Sequence, residues 1–293
     1  GITIPILVMN PEMSSFNVLF ENHLEPEVYS FRLLDALVHE TERRGITDYP
    51  IHIKIDTGMH RLGFAPSDVP EICSRLKRQT GVTARSIFSH LVGSDSSIFD
   101  DFTHRQLQTF QEAAATLERG LEKRVIKHIL NTAGIERFAS YQMDMVRLGI
   151  GLYGVSASGL KGLEHVSTLK TTILQIQSVP AADSIGYSRR TYVERDSRIA
   201  IIPIGYADGL DRHLSNGVGE VVIRGHRCPI VGNICMDACM VDVTDTDAQE
   251  GDPVIIFGEE LPVTELAEKL HTIPYEILTS VSPRVKRVYY REL

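Results

Sequence analysis

The sequence predicts an α/β protein in which an incomplete (β/α)8 TIM-type barrel of about six units is followed by a mainly antiparallel β domain. Two changes of pattern along the 293 residues carry this prediction. Strand and helix signals alternate at the spacing of βα units over the first half. After about residue 163, short alternating runs separated by turn residues take their place. We therefore expect a partial barrel over residues 1–160 and a β domain over residues 163–293.

The first half contains runs that predict the strands of these units. They cover residues 4–9, 27–29, 51–55, 84–92, 125–130 and 145–153. Helices are predicted between them, and the clearest begins after the cap Ser30 and ends at Gly45. A closed barrel needs eight units, so roughly 60 residues would be missing. An open doubly wound sheet is the alternative, although no G-x-G-x-x-G motif follows any of these runs.

The second half contains shorter runs that predict an antiparallel sheet. They cover residues 171–179, 198–203, 219–223, 228–234, 239–243 and 254–257. Turn residues such as Asn216-Gly217 and Arg224-Gly225 separate them, and one helix is predicted at 263–270. The segment 156–162 is the predicted boundary between the two domains.

Composition and charge exclude several classes of function. The net charge is −8 and no basic run is present, so nucleic acid and anionic membrane are poor partners. No apolar stretch has the length of a membrane span. The four cysteines form no C-x-x-C pair, so we predict no metal site and expect a reducing cytoplasm. The chain opens at Gly1 in a strand-like run without a signal peptide, which indicates a piece of a longer protein.

The segment Lys54-Ile-Asp-Thr-Gly-Met-His-Arg-Leu-Gly63 joins a strand to a loop. Its apolar part belongs to the strand at 51–55, and Lys54, Asp56, His60 and Arg61 crowd the end of that strand. Parallel α/β proteins place their active sites at the carboxyl ends of strands. The pattern therefore indicates an active-site loop, with a structural salt-bridge loop as the alternative.

Further motifs follow in both halves of the chain. They are Phe88-Ser89-His90, Asn131-Thr132-Ala133-Gly134, the glycine-rich run from Val146 to Gly154, Gly186-Tyr187, the run Gly205-Tyr206-Ala207-Asp208-Gly209-Leu210, Cys235-Met236-Asp237 and Tyr275-Glu276. Together, in order and over essentially the whole chain, these stretches resemble the alanine racemase family. Its members are pyridoxal-phosphate (PLP) enzymes of fold type III, with a barrel and a β domain.

One family segment has no match in this sequence. The resemblance implies a Val-Lys-Ala-Asn-Ala-Tyr-Gly-His-like stretch on the first barrel strand, whose Lys forms the Schiff base with PLP. That stretch should lie upstream of Gly1, in agreement with the missing barrel units. The expectation is therefore an N-terminally truncated racemase that is catalytically incomplete alone. An upstream cell-wall ligase domain is one expected neighbour.

The resemblance assigns PLP contacts to the first half and to Tyr275. Thr132, Gly149 and Ile150 would hold the phosphate with Tyr275, since backbone N–H groups after glycines can approach a phosphate closely. Alternatively, Gly149 and Gly151 only leave room for other side chains to pack against the strand. Arg147 would face the pyridine nitrogen, and an ordinary Arg–carboxylate bridge is its alternative. An arginine keeps its proton, so the cofactor would remain a weak electron sink, which suits a racemase.

Three more residues of the first half receive roles by resemblance. Arg61 would lie near the phenolic oxygen of PLP and the substrate. Lys54 matches a lysine that is often carbamylated and then braces that arginine, and a plain salt bridge to Asp56 is the alternative. His90 would pack beside the cofactor, or it is a satisfied core histidine.

The β domain would supply the second catalytic base and the substrate contacts. Tyr187 resembles the base that takes the proton from L-alanine, and Arg212 could lower its pKa. Met236 and Asp237 would contact the substrate carboxylate, and Tyr206 would stand at the site entrance. Alternatively, Tyr187 is only a turn residue, and Cys235-Met236-Asp237 is only the buried end of a strand. In the family these residues act on the partner subunit's PLP, so a homodimer with shared sites is expected.

The function implied is interconversion of L-alanine and D-alanine for peptidoglycan synthesis. A racemase of another small amino acid such as serine, or a non-catalytic PLP-binding module, remains the alternative. A basic amino-acid decarboxylase shares the barrel-plus-β design but would place an acidic group at the pyridine nitrogen, so Arg147 argues against it.

Overall fold

The computed structural model describes residues 1–290 and divides the chain into two compact units. Unit 1 contains Gly1–Gly151 and Ser156–Gly162, and unit 2 contains Leu152–Val155 and the rest of the chain from Leu163. Each unit has its own sheet. The domain limits 1–160 and 163–293 stay a prediction.

Unit 1 is built on a curled five-stranded parallel sheet whose strands lie in chain order. The strands are β1 (Leu7–Val8), β2 (Glu25–Val28), β3 (Tyr49–Lys54), β4 (Val82–Phe88) and β5 (Ile126–His128). The helices are α1 (Phe16–Glu21), α2 (Phe31–Arg44), α3 (Val69–Lys77), α4 (Asp100–Leu121) and α5 (Thr132–Arg137). Parallel neighbours joined by helices form part of a TIM-like barrel, as the sequence predicted.

The prediction of a sixth strand at 145–153 is wrong. Residues 145–149 have no regular structure, and Ile150–Tyr153 forms a 3-10 helix. Arg147 N still donates to Leu130 O at 2.9 Å, but the run forms no ladder with another strand. Leu148 and Leu152 are exposed, so the apolar pattern does not report a buried strand here. Glycines weaken a strand interior, and two of them, Gly149 and Gly151, fall within this run.

Capping signals in the sequence set the ends of α2 correctly. The Ser30 side chain accepts from Leu33 N at 3.3 Å, and Gly45 ends the helix with φ 66°. Leu34 and Leu37 on its inner face are fully buried in the unit 1 core. Each such leucine contributes about 1.5–3 kcal/mol through burial.

The sheet of unit 1 has an apolar face and a polar face because strand side chains alternate. Ile51, Ile53 and Ile87 belong to the hydrophobic core and are fully buried. The alternate positions of the same strands carry buried polar and charged groups. These are Glu25, Glu27, His52, Lys54, Ser86 and His128. A sheet with so many buried polar side chains must hydrogen-bond them to one another.

Unit 2 is built on a seven-stranded sheet. Its strands are β6 (Leu169–Thr172), β7 (Gln175–Val179), β10 (Ser197–Ile202), β11 (Glu220–Ile223), β12 (His226–Val231), β13 (Cys239–Asp242) and β14 (Pro253–Phe257). They lie in the order β6-β14-β11-β12-β13-β10-β7, and all neighbours are antiparallel. A separate pair, β8 (Ser184–Ile185) and β9 (Thr191–Tyr192), forms a small hairpin. The helices are α6 (Val263–Lys269) and α7 (Pro274–Ser280).

Unit 2 confirms the antiparallel prediction with three corrections. The run at 171–179 is two strands, which lie at opposite edges of the sheet. The β8–β9 hairpin and α7 were not predicted, because two-residue strands and a seven-residue helix give too little periodic pattern. No helix within residues 1–290 combines the length and the apolar character that crossing a membrane requires. The same residues contain no cluster of three or more His, Cys, Asp or Glu side chains arranged for a metal ion.

Candidate active site

Lys54, at the carboxyl end of β3, is paired with Glu27 of β2. Its Nζ donates to Glu27 Oε2 at 3.1 Å, and both side chains are buried. The alternative pairing with Asp56 is wrong, because Asp56 Oδ1 instead accepts from the backbone N–H groups of Gly58 and His60. Asp56 therefore shapes the loop after β3, while Lys54 belongs to the polar face of the sheet.

Arg147 is held by acceptors from the ends of β4 and β5. Its Nη1 donates to His128 Nδ1 at 2.6 Å and to His128 O at 3.2 Å. Its Nη2 donates to Ser89 O at 2.6 Å and to Ile129 O at 3.2 Å. The proposed Arg–carboxylate bridge is wrong for the described residues, because carbonyls and a histidine take these four N–H groups. The Nε–H group has no acceptor within residues 1–290 and is the donor left for a ligand.

The environment of Arg147 preserves its charge at neutral pH. Burial lowers the pKa of Arg147 to about 10, and the carboxylate of Glu27 acts in the opposite direction. The guanidinium carbon also lies 5.3 Å from the centroid of the Phe88 ring. A fixed guanidinium with one outward donor can hydrogen-bond a ligand nitrogen without transferring a proton to it.

A chain of hydrogen bonds leads from Arg147 across the polar face of the sheet. His128 Nε2 lies 3.1 Å from Ser86 Oγ, Ser86 Oγ lies 2.6 Å from His52 Nδ1, and His52 Nε2 lies 2.9 Å from Glu25 Oε2. Burial lowers the pKa of His128 to about 3, with a further contribution from the charge of Arg147. Burial also lowers the pKa of His52, against the attraction of Glu25. Both histidines are therefore neutral at pH 7.

Four members of this chain were missed in the sequence: Glu25, His52, Ser86 and His128. A signal was available, because charged or polar residues alternate with apolar ones at Glu25–Val28 and in 51–54. Such alternation usually indicates a half-buried strand whose polar side chains face solvent. In the structure the polar side chains of this face are buried, because the parallel sheet curls around them.

His90 lies beside Arg147 at the carboxyl end of β4. Arg147 Nη2 approaches His90 Nδ1 at 3.4 Å. Burial lowers the pKa of His90 to about 4, and the positive charges of Arg147, Arg61 and Lys54 lower it further. Arg61 is itself exposed and has no hydrogen bond or ion pair within the described range. The site therefore combines a neutral histidine with three cationic side chains, which suits an anionic ligand.

The glycine-rich run after Arg147 turns its amides toward Thr132. Thr132 Oγ1 accepts from Gly149 N at 3.0 Å and from Gly151 N at 3.4 Å, and Ile150 between them is buried. A Cβ at Gly151 would lie 3.1 Å from Thr132 Cγ2 and 2.7 Å from Leu148 Cδ1, which is the end of an exposed side chain. A phosphate oxygen could accept from the Thr132 hydroxyl and would compete with Thr132 Oγ1 for these amides.

In unit 2, two loops are joined by backbone hydrogen bonds. Tyr206 N donates to Cys235 O at 3.1 Å, and Ala207 N donates to Met236 O at 2.9 Å. Gly205 has no space for a side chain, because a Cβ would lie 2.5 Å from Asp237 N. The structure therefore brings Tyr206, Met236 and Asp237 together, with the side chains of Tyr206 and Met236 about half exposed.

An ion pair braces the first of these loops. Asp208 Oδ2 accepts from Gly205 N at 2.9 Å, and Asp208 Oδ1 lies 2.7 Å from Arg284 Nε. The hydrogen bond from Arg284, against a smaller effect of burial, lowers the pKa of Asp208. Asp208 therefore remains an anion that fixes the turn before Tyr206.

The other predicted residues of unit 2 lie on separate turns. Tyr187 is 69% exposed in the turn between β8 and β9, and Arg212 begins the 3-10 helix Arg212–Leu214. Within residues 1–290 no hydrogen bond joins their side chains, so a pKa effect of Arg212 on Tyr187 stays a prediction. Tyr275 lies near the start of α7 with its ring partly exposed.

A partial TIM-like barrel with charged groups at its strand ends, followed by an antiparallel β domain, defines a class of two-domain barrel enzymes. The family model described as alanine racemase, N-terminal domain, matches residues 1–157, and that described as alanine racemase, C-terminal domain, matches residues 166–289. The chain therefore belongs to the alanine racemase family.

Individual relatives agree with this assignment. The chain is similar to an alanine racemase of Desulfovibrio desulfuricans, with 38% identity over 99% of this chain and 79% of the relative. A solved alanine racemase of Clostridium difficile 630 has 33% identity and a TM-score of 0.91, over 99% of this chain and 77% of that one. The alanine racemase of Bartonella henselae, solved with covalently bound pyridoxal phosphate, has 30% identity and a TM-score of 0.88, over 99% and 80%.

Proposed function

We propose that the protein interconverts L-alanine and D-alanine with PLP as its cofactor. Family membership supports the reaction, and a solved relative carries covalently bound pyridoxal phosphate. The observation that carries the proposal in this chain is Arg147, whose four Nη N–H groups are directed to protein acceptors while Nε–H stays available. A racemase benefits from a donor at this position that keeps its proton, because the cofactor then remains a weak electron sink.

The side chains of unit 1 fit PLP. Thr132 and the amides of Gly149 and Ile150 would hold the phosphate, with the Gly149 amide exchanging its hydrogen bond to Thr132 Oγ1 for one to a phosphate oxygen. Arg147 would donate to the pyridine nitrogen. Bound PLP supplies the electron sink that allows the α-proton of an amino acid to leave. Tyr275 of unit 2 is proposed as a further phosphate contact.

The cationic groups near Arg147 would bind the remaining charges. Arg61 would face the phenolic oxygen and the substrate, and His90 would pack beside the ring as a neutral side chain. Lys54 is a paired ammonium next to Glu27. A carbamate at Lys54 would set a second anion against that buried carboxylate, so we propose that Lys54 stays unmodified.

The residues of unit 2 would act on the substrate. Tyr187 would remove the α-proton of L-alanine on one face and return it in the reverse direction, and Arg212 would act with it as a catalytic residue. The backbone N–H of Met236, with Asp237, would bind the substrate carboxylate, and Tyr206 would line the entrance. The mutual hydrogen bonds of the Tyr206 and Met236 loops support a joint role.

The wider setting is part of the same proposal. A homodimer with sites shared between subunits, a cytoplasmic location and a role in peptidoglycan synthesis accord with family membership. Division into a barrel domain over 1–160 and a β domain over 163–293 accords with the two matched models.

The test follows each enantiomer of alanine in the intact, PLP-loaded protein. In deuterium oxide, the native protein should convert each enantiomer to the other with solvent deuterium at the α-carbon. Tyr187→Phe should slow conversion by about 10²-fold or more, the range for loss of a general base. Tyr192→Phe removes the hydroxyl of another exposed tyrosine nearby in the chain and should leave the rate unchanged. PLP binding without interconversion would instead support a non-catalytic PLP-binding module.

A further inference from the structure

The turn that carries Tyr187 adopts a strained backbone. Gly186, Ser188 and Arg189 have φ values of 72°, 65° and 49°, a left-handed conformation that non-glycine residues rarely adopt. The Tyr187 side chain is largely exposed, so packing of its ring does not hold the turn. Residues in such conformations persist only where the surroundings fix them.

The group that fixes Tyr187 is the buried side chain of Asn233. Its Nδ2 donates to Tyr187 O at 2.9 Å, and its Oδ1 accepts from Asn216 Nδ2 at 3.2 Å. Asn233 is only 6% exposed, so its amide has little water to exchange with. A buried side-chain amide with both ends hydrogen-bonded is rigid and costly to disrupt.

A second asparagine closes the network on the far side of the turn. Thr191 Oγ1 donates to Asn216 Oδ1 at 2.8 Å and accepts from Gly232 N at 3.2 Å. Thr191 begins β9, two residues after Arg189. Gly232 precedes Asn233, so the hydrogen bonds form a ring that holds the turn at both of its ends.

The turn also packs tightly on this ring. A Cβ at Gly186 would lie 2.8 Å from Met240 Cε, and one at Gly232 would lie 3.0 Å from Ile185 O. A side chain at Gly186 would therefore displace the end of Met240, and one at Gly232 would press on the backbone of Ile185.

The same edge of the unit fixes Arg212. Ser215 Oγ donates to Arg212 O at 2.6 Å and accepts from Ile234 N at 2.9 Å. Ser215 and Ile234 are the sequence neighbours of Asn216 and Asn233. The two asparagines therefore connect the turn of Tyr187 to the turn of Arg212. Within residues 1–290, no hydrogen bond joins Tyr187 and Arg212 directly.

We propose that Asn233 and Asn216 are positioning residues that fix the Tyr187 turn relative to Arg212. The inference rests on the proposed function, because positioning matters only if Tyr187 transfers the α-proton of L-alanine. Whether the asparagine pair holds the turn can be tested without measuring enzyme activity.

The first variant is Asn216→Gly. Asn216 has φ 57°, so glycine accepts its backbone without strain while both side-chain hydrogen bonds are lost. Asp48→Gly is the matched control, because Asp48 also has a left-handed φ of 55° and lies before β3 in unit 1. Asn233→Asp is the second variant, which keeps the acceptor and replaces the donor to Tyr187 O with an oxygen.

The first measurement is native-state cleavage by trypsin after Arg189 and Arg190, which lie in the turn. Both asparagine variants should accelerate cleavage there by about tenfold, because local opening becomes easier when hydrogen bonds of the closed form are lost. The control should not change it. Unchanged cleavage in Asn216→Gly, in protein that remains folded by circular dichroism, would overturn the proposal.

The second measurement is the primary deuterium isotope effect on racemisation from each enantiomer. If Tyr187 is displaced, removal of the α-proton from L-alanine becomes more rate-limiting, so the effect should rise from L-alanine and fall from D-alanine. A general loss of folded protein lowers both rates without this split. Accelerated cleavage with unchanged isotope effects from both enantiomers would refute the link to catalysis by Tyr187. An inactive native protein would refute the proposed function, but the cleavage result would still test whether the asparagines hold the turn.

Discussion

Arg147 donates from Nη1 to His128 Nδ1 over 2.6 Å, and this bond fixes the protons of a buried chain. A guanidinium never accepts, so His128 Nδ1 carries a lone pair and Nε2 carries the proton. Nε2–H then donates to Ser86 Oγ, Ser86 donates to His52 Nδ1, and His52 donates from Nε2 to Glu25. Arg147 is thereby oriented by a carboxylate on β2 through groups that are all uncharged.

Ser86→Ala tests this chain with the smallest possible change. It removes the central hydroxyl and leaves one nitrogen of His52 and one of His128 without a partner, because Ser86 is fully buried. We expect a loss of about 1–3 kcal/mol in the free energy of unfolding. Ser197→Ala removes a buried hydroxyl whose one hydrogen bond within residues 1–290 is to Arg195 O, so it should cost less.

The proton positions can be measured directly in the same protein. Nitrogen-15 NMR of labelled histidines should find His128 neutral with its proton on Nε2 in the native chain. Ser86→Ala should shift the Nε2 signal while the Nδ1 signal stays that of an unprotonated nitrogen. A proton on His128 Nδ1 would contradict the order of donors.

The buried histidines predict a loss of stability below neutral pH. The folded-state pKa is about 3 for His128 and about 4 for His90, both below the usual value near 6.5. Below pH 6.5 the unfolded chain therefore binds more protons than the folded one, and stability falls as the pH decreases. The expected slope is about 1.4 kcal/mol per pH unit for each such histidine.

Urea unfolding between pH 4.5 and pH 6.5 separates histidines from most carboxylates, which titrate lower. His128→Gln can retain an acceptor for Arg147 and a donor for Ser86, so it should reduce the slope without removing both bonds. His226→Gln changes an exposed histidine on β12 and should leave the slope unchanged. Equal slopes for the native protein and His128→Gln would show that His128 already binds a proton when folded.

Sequence patterns were reliable where local chemistry decides the structure. The caps Ser30 and Gly45 located α2, and β3 was found within two residues at its amino end. The run at 145–153 failed because β propensity needs a neighbouring strand for hydrogen bonding, and the glycine-rich backbone turned its amides toward Thr132 instead.

Site residues were predictable one at a time, but their partners were not. Lys54 stood out as a charge near a strand end and Arg147 as a charge within an apolar, glycine-rich run, while Glu27 and His128 did not stand out. The pairing of Glu27 with Lys54 depends on the parallel register of β2 and β3, in which Glu27 lies opposite His52. Such registers join residues distant in the chain, and no local pattern contains them.

The Lys54–Glu27 pair predicts an asymmetric response to mutation. Glu27 is fully buried, so Lys54→Met leaves a carboxylate without its cation and should cost about 3–5 kcal/mol in the free energy of unfolding. Lys54→Met combined with Glu27→Leu should recover most of that loss, because the uncompensated charge is gone. Equal stability of the single and double variants, measured by urea unfolding, would mean that the pair is not desolvated.

Intact-mass analysis of the native protein checks the state of Lys54. We expect the mass calculated from the unmodified sequence, measured without digestion under conditions that preserve carbamates. An added carbon dioxide at Lys54 would contradict the ammonium–carboxylate pair and would support the family's carbamylated form.

Arg147→Glu should change the outcome of the proposed reaction as well as its rate. The new carboxyl would face Ser89 O, Ile129 O and His128 O, which raise its pKa because they offer lone pairs and no protons. A carboxyl that keeps its proton can share it with the pyridine nitrogen of PLP and strengthen the electron sink. Transamination should therefore increase relative to racemisation, measured as pyruvate formed per racemisation event in the intact, PLP-loaded protein. Arg105→Glu makes the same charge change on exposed α4 and should leave the ratio at its native value. An unaltered ratio in Arg147→Glu, with PLP bound, would show that position 147 does not contact the ring.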